Sequence, residues 1–316
     1  MSLLNLLKNN NKIIINTDLD GVLSGLLLKQ YANCEIVGFS NSANKVWINP
    51  KKINSIYDAV YIDLYVPESS VTCIDQHIIG ADDLHNGLIS KNKNKLNPNL
   101  QLSRSHTPPS VYKNKYPLGT VHFIISLLEK DGVNIDLDLA KGVSGQINLA
   151  DLILRADDAM HTTVATTFKE NADTWWTWLY HLSGKGKLTN DLIAYLKTTS
   201  PQKAADLKSQ TTTFLKGAPY YCESGDGGYK SIITKEGNLK KTLKFYVDML
   251  AKALDVKTFY FGQEYKTFEG KLHRISLTEN EKLELIQHNS INGQKIFSYA
   301  FIWGINKEGY FSYTVM

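Results

Sequence analysis

Carboxylates and an imidazole able to hold a cation or move a proton recur at the ends of short apolar runs in the first half of this chain. Ile13-Ile14-Ile15 leads into Asn16-Thr17-Asp18-Leu19-Asp20-Gly21, "AVYIDL" carries Asp63, and "VTCIDQH" ends on Asp75, Gln76 and His77. Carboxylates at i and i+2 of an extended segment point to one side, where they repel and raise each other's pKa. Hard divalent cations relieve that repulsion through oxygen ligands, and the imidazole of His77 suits Mn²⁺ better than Mg²⁺. A plainer reading of the first pair is open too: Asp20 as a helix N-cap and Asp18 as an exposed residue. Gly21 allows a tight turn, and the helix N-terminus behind it favours anions.

These residues need a scaffold that brings strand ends together. Residues 13–16 read as a buried strand and 22–31 as the helix after it. "CEIVGFS", "KVWIN", "DAVYIDL" and "VTCIDQH" read as further short strands, rich in β-branched residues. Strands separated by helices or short crossovers predict a mostly parallel sheet, which collects ligands at the carboxyl ends of its strands. From Gly80 to Pro117 the periodicity lapses into Asn, Lys, Ser and Pro, as in a long functional or mobile loop. Helical patterns return at "GTVHFIISLLEK" and across residues 138–159, and towards the C-terminus "KTFYFG", "KLHRISL", "KIFSYAFIWGI" and "YFSYTVM" read as strands. The sequence predicts an α/β protein in three parts. Residues 1–160 form a mostly parallel-sheet metal-binding domain, 161–216 a helical connector, and 217–316 a smaller α+β substrate-binding or cap domain.

Composition narrows the function. The 316 residues carry 35 Lys plus Arg against 31 Asp plus Glu, a net charge of +4. So small an excess permits an anionic ligand without indicating a nucleic-acid coat. Cys34, Cys73 and Cys222 are widely spaced and suggest buried free thiols in a reducing, cytoplasmic setting. No run of about 18 apolar residues occurs, so no membrane span is expected. Candidate phosphate contacts are Arg104 and His106 in "SRSHTPP", Arg274 in "KLHRISL", and Gly227 and Gly228 in "CESGDGGYKSI". The glycine-rich stretch also reads as a plain β-turn. The "WWTWLYHL" cluster suits packing better than base stacking.

Taken in order, four segments resemble the motifs of the DHH phosphoesterase superfamily, most nearly its RecJ-like form. They are "NTDLDGVLSG", "VYIDL", "IDQHI" and "GQINLADL", spread over residues 12 to 160. The resemblance implies that Asp18 and Asp20 each bind one of two divalent ions, Mn²⁺ or Mg²⁺. Asp63 would bridge the ions and Asp151 would complete the coordination of the second ion. Asp157 and Asp158 are alternatives to Asp151. His77 would stand near the scissile phosphate, with Asp75 orienting its segment. Two positions depart from the pattern: Asn16 replaces an Asp, and Gln76 replaces a metal-binding His. The implied activity is hydrolysis of a phosphodiester or phosphoanhydride bond in a nucleotide, a short oligonucleotide or single-stranded nucleic acid. The alternative is a weakened relative that binds a nucleotide or a protein partner without hydrolysis.

Overall fold

The computed structural model describes residues 2–106, 113–225, 228–230, 239, 241–259, 264–303 and 309–316. In chain order the first elements are α1 (Leu3–Asn9), β1 (Lys12–Asn16), α2 (Leu19–Tyr31), β2 (Glu35–Ser40), β3 (Lys45–Ile48), β4 (Val60–Ile62) and β5 (Cys73–Ile74). Next come α3 (Asp83–Ser90), β6 (Lys95–Leu96), α4 (Pro98–Gln101), α5 (Thr120–Lys130), α6 (Leu149–Arg155), α7 (Ala159–Ala165) and α8 (Lys169–Leu182). The remainder includes α9 (Lys187–Lys197), α10 (Pro201–Lys216), α11 (Leu243–Leu254), β7 (Lys266–Glu269), β8 (Lys271–Ile275), α12 (Glu279–His288), β9 (Ser298–Trp303) and β10 (Gly309–Val315). The fold is mixed α/β with a mostly parallel central sheet.

The chain divides into two compact units that interleave along the sequence. A helical unit takes Met1–Asn11, Asn16–Ile36 and Pro117–Phe261; a sheet unit takes Lys12–Ile15, Val37–Tyr116 and Gly262–Met316.

In the sheet unit seven strands lie in the order β7-β3-β2-β1-β4-β5-β6. β1, β4, β5 and β6 run parallel, with Ile15 opposite Ile62 and Ile62 opposite Ile74, while β3 is antiparallel to both β2 and β7. The "III" of β1 is buried, as befits a strand covered on both faces. Strand order reverses beside β1, the point where open α/β sheets bind ligands. A second, antiparallel sheet, β8-β10-β9, packs Phe301, Phe311 and Tyr313 into the same core as Ile14, Tyr61 and Cys73. Buried Lys95 ties down the turn between β4 and β5. Its Nζ donates to the carbonyls of Val66 at 2.7 Å, Glu68 at 2.7 Å and Val71 at 2.5 Å.

In the helical unit α2 packs on α5 and α10 on α7. Carboxylates distant in sequence cap several helix N-termini, where free N–H groups need acceptors. Asp131 Oδ2 accepts from Leu4 N at 2.8 Å and Ser2 Oγ at 2.9 Å, and Glu129 accepts from Leu188 N at 2.6 Å and Thr189 Oγ1 at 2.6 Å. The aromatic residues of α8 pack inward: Trp175 and Trp176 are buried, and Trp176 Nε1 donates to Thr163 Oγ1 at 2.9 Å.

Four stretches differ from the sequence expectation. α2 begins at Leu19, three residues early, because Asp18 caps it by accepting from Gly21 N at 2.8 Å. The stretch after Gly80 holds α3, β6 and α4, whose short lengths hide their periodicity. Residues 138–159 are not continuously helical, since Gly142–Ser144 and Ile147–Asn148 pair as strands around Gly145 at φ 53. Lys257–Phe259 of the expected strand "KTFYFG" are not in a strand, and its other residues lie outside those described. β7 occupies the following segment instead.

Candidate metal centre

In the sheet unit, parallel pairing brings two strand ends side by side. Asp63 follows β4 and donates its N–H to Ile74 O at 2.8 Å; Asp75 follows β5 and donates to Leu96 O at 3.0 Å. Both carboxylates are buried, at 1% exposure each. Asp63 has φ 61, a left-handed conformation that costs a non-glycine residue energy and that clusters at functional sites. One ligand atom each from Asp63, Asp75 and His77 lies within 4.8 Å of the others.

Asp75 fixes His77. Its Oδ1 lies 2.7 Å from His77 Nδ1, while Oδ2 accepts from His77 N at 3.2 Å and from Asn97 Nδ2 at 3.3 Å. A ring nitrogen that close to a carboxylate oxygen carries the proton, which leaves Nε2 as the basic nitrogen. The His77 side chain is 31% exposed, so the dyad meets solvent through the ring. Two buried carboxylates and an imidazole form a donor set suited to Mn²⁺ or a similar first-row divalent ion. Gln76 is buried between them, and its carbonyl accepts from Asn99 Nδ2 at 2.7 Å.

The remaining acidic candidates belong to the helical unit. There the i, i+2 geometry expected of Asp18 and Asp20 gives way, because Asp20 lies inside α2. Asp18 takes Asn16 Nδ2 on Oδ2 at 2.7 Å, beside its cap to Gly21. Asp20 accepts from Thr120 N on Oδ2 at 2.6 Å and from Val121 N on Oδ1 at 2.8 Å, so it caps α5 and not its own helix. Burial, then the carboxylates of Asp157 and Asp18, push the Asp20 pKa well above the ordinary value, against those two N–H donors. Asp151 forms a capping box with Asn148. Its Oδ2 accepts from Asn148 N at 2.9 Å and its Oδ1 from Tyr195 Oη at 2.7 Å. Among Asp151, Asp157 and Asp158, the one that acts electrostatically on Asp20, alongside Asp18, is Asp157; it and Asp158 are successive left-handed residues, at φ 47 and φ 53. Asp158 itself pairs with Arg155 and Lys208.

The proposed phosphate contacts are divided between the two units. In the sheet unit Arg104 is half-buried, and the His106 ring stacks on Phe301 at 4.6 Å. Arg274, on β8, is exposed and lies over the Tyr310 ring at 5.9 Å. In the helical unit Gly228 pairs with Gly225 in a short antiparallel ladder; Gly227 lies outside the described residues. Sequence reasoning passed over Asn97 and Asn99, which hold the Asp75–His77 segment. The signal was present in Asn97-Pro98, a preferred N-cap before the preferred first helical residue.

Cys34, Cys73 and Cys222 are buried and are in no disulfide among the described residues. Among the described residues no helix is long and apolar enough to cross a membrane. No protein-family profile matches the chain, and neither a curated protein nor a solved structure matches it significantly.

Proposed function

We propose that this chain is a divalent-metal-dependent phosphoesterase acting on phosphodiester or phosphoanhydride bonds of a nucleotide, a short oligonucleotide or single-stranded nucleic acid. The observation that carries the reading is the convergence of Asp63, Asp75 and His77 at adjacent parallel strand ends. Asp63 and His77 Nε2 would hold a Mn²⁺ or Mg²⁺ ion, with the Asp75 carboxylate at its margin. Such an ion supplies a lowered pKa for a nucleophilic water and charge compensation at phosphorus. The chain's own part is to keep the His77 ring oriented through Asp75 and to exclude water from the two carboxylates. Arg104 and Arg274 are the cations in this unit best suited to recognise phosphate. The resemblance of the motifs at Asp18, Asp20 and Asp151 adds support for phosphoester chemistry.

The test is Mn²⁺-dependent hydrolysis of bis(p-nitrophenyl) phosphate and of a short oligonucleotide, comparing the wild type with Asp63→Ala. Turnover that needs Mn²⁺ and disappears in the variant supports the reading. A second reading, binding without hydrolysis, is favoured by the Asn16 amide. Its N–H on Asp18 gives that carboxylate a neutral partner where an Asp would repel it. Nucleotide binding by a wild type that turns over neither substrate would establish that reading in place of the first.

A further inference from the structure

Two buried asparagines follow β6, in the sequence Asn97-Pro98-Asn99. Their exposures are 1% and 0%, so any amide group left unpartnered there would be costly. Pro98 holds the preceding residue extended, and Asn97 has φ −151 and ψ 127. In that conformation Asn97 Oδ1 caps α4 by accepting from Asn99 N at 2.8 Å. The Nδ2 group then points away from the helix, donating to His77 O at 2.8 Å and to Asp75 Oδ2 at 3.3 Å. Asn99 repeats the arrangement: Oδ1 accepts from Tyr116 N at 2.7 Å, while Nδ2 donates to Gln76 O at 2.7 Å and His77 O at 3.4 Å.

Together the two amides tie down the carbonyls of Gln76 and His77 and one oxygen of Asp75. We infer that Asn97, supported by Asn99, is a positioning residue for the Asp75–His77 pair, fixing the ring tautomer and thereby the nitrogen through which His77 ligates. The metal part of this inference rests on the phosphoesterase reading; the tautomer part does not. Asn97 supplies Asp75 with an N–H on the oxygen that faces away from the ring, so the other oxygen stays directed at Nδ1. The Asn99 side chain touches only backbone groups, the carbonyls of Gln76 and His77 and the N–H of Tyr116, so its loss slackens the segment without altering Asp75 directly. Groups of this kind around metal ligands, when removed, typically lower metal affinity or activity by about 10- to 100-fold.

The experiment uses the full chain with ¹⁵N-labelled histidine, in wild type, Asn97→Ser, Asn97→Asp and Asn99→Ser, with His77→Gln to assign the signal. Imidazole ¹⁵N shifts in chelator-treated protein report the tautomer; titration with Mn²⁺ alone reports affinity. The expected result is an Nδ1–H ring in the wild type and a mixture of tautomers in both Asn97 variants. Mn²⁺ binding should weaken about 10- to 100-fold in those variants and less in Asn99→Ser. A merely structural role lowers the melting temperature and leaves both readouts unchanged. That outcome in folded Asn97→Ser overturns the inference, and Asn97→Asp, nearly isosteric, decides it if the serine variant does not fold. Should the wild type fail to bind Mn²⁺ while the tautomer still depends on Asn97, the metal reading falls and the positioning role stands.

Discussion

Asp20 and Thr120, a hundred residues apart, are joined by a 2.6 Å hydrogen bond in which the backbone N–H at the start of α5 donates to the carboxylate. With Val121 on the other oxygen, Asp20 acts as the cap that glycine at position 119 cannot provide. An acidic residue that sequence motif alone assigns to metal binding thus has a structural task within its own unit.

Burial, not the cap itself, gives Asp20 a pH signature. Asp20 has a raised pKa in the folded state, so the fold binds its proton more tightly than the unfolded chain does. Stability associated with this group therefore falls as pH rises from about 4, the ordinary carboxylate value, through the raised value. Asn at this position does not titrate. In chelator-treated protein, the melting temperature of the wild type minus that of Asp20→Asn should decline between pH 4 and pH 7. A constant difference would contradict the assignment.

Close approach explains two glycines. A Cβ on Gly119 would sit 2.8 Å from Asp20 Oδ1, and one on Gly21 would sit 2.4 Å from the backbone oxygen of Asn16. Gly21 is therefore required by crowding inside a helix, not by the tight turn its position suggests. Gly21→Ala meets an atom that cannot swing aside and should cost about 3 kcal/mol, at the top of the overpacking range. Gly119→Ala should cost about 1 to 2 kcal/mol, since a side chain can shift. Urea midpoints with unchanged slopes would measure both; the reverse order would refute the argument.

Lys95 satisfies three carbonyls from a buried position, and burial lowers its pKa. Lys95→Met keeps the apolar stem but removes the ammonium, leaving Glu68 O with Val71 N at 3.1 Å and the carbonyls of Val66 and Val71 with only the weak Cys73 thiol donor. A loss of about 1 to 3 kcal/mol is expected in denaturant unfolding. Wild-type stability in the variant would show that the turn between β4 and β5 does not depend on the ammonium group.

His85 is buried, its Nδ1 accepting from Ala81 N at 3.2 Å, and burial pushes its pKa down to about 4. The folded chain keeps this ring neutral while the unfolded chain protonates it near pH 6.5. Its contribution is complete above pH 6.5 and is lost as pH falls from there towards 4. His85→Asn should flatten the decline in urea midpoint across that window, and an unchanged slope would contradict the account.

Much of the scaffold was legible in the sequence because β-branched runs ending in acids mark the ends of buried strands. Asp63 and Asp75 do follow β4 and β5. What local pattern could not reveal was pairing across long separations. Nothing near Asp20 announces Thr120, and nothing near Asp151 announces Tyr195. The start of α2 was missed because Leu19 and Asp20 read as loop until Asp18 is known to cap the helix. Asp157, which acts on Asp20, is one of a pair of left-handed aspartates, a conformation that no spacing rule foretells.

The central claim, that Asp63, Asp75 and His77 form a cation site, is tested most directly by a crystal soaked in MnCl₂, with anomalous diffraction recorded at the manganese edge. The account predicts an anomalous peak at about 2.0–2.3 Å from a carboxylate oxygen of Asp63 and from a nitrogen of His77, absent in Asp63→Ala. A well-ordered Mn²⁺ bound elsewhere in the chain, or no peak beside Asp63 at saturating metal, would contradict it.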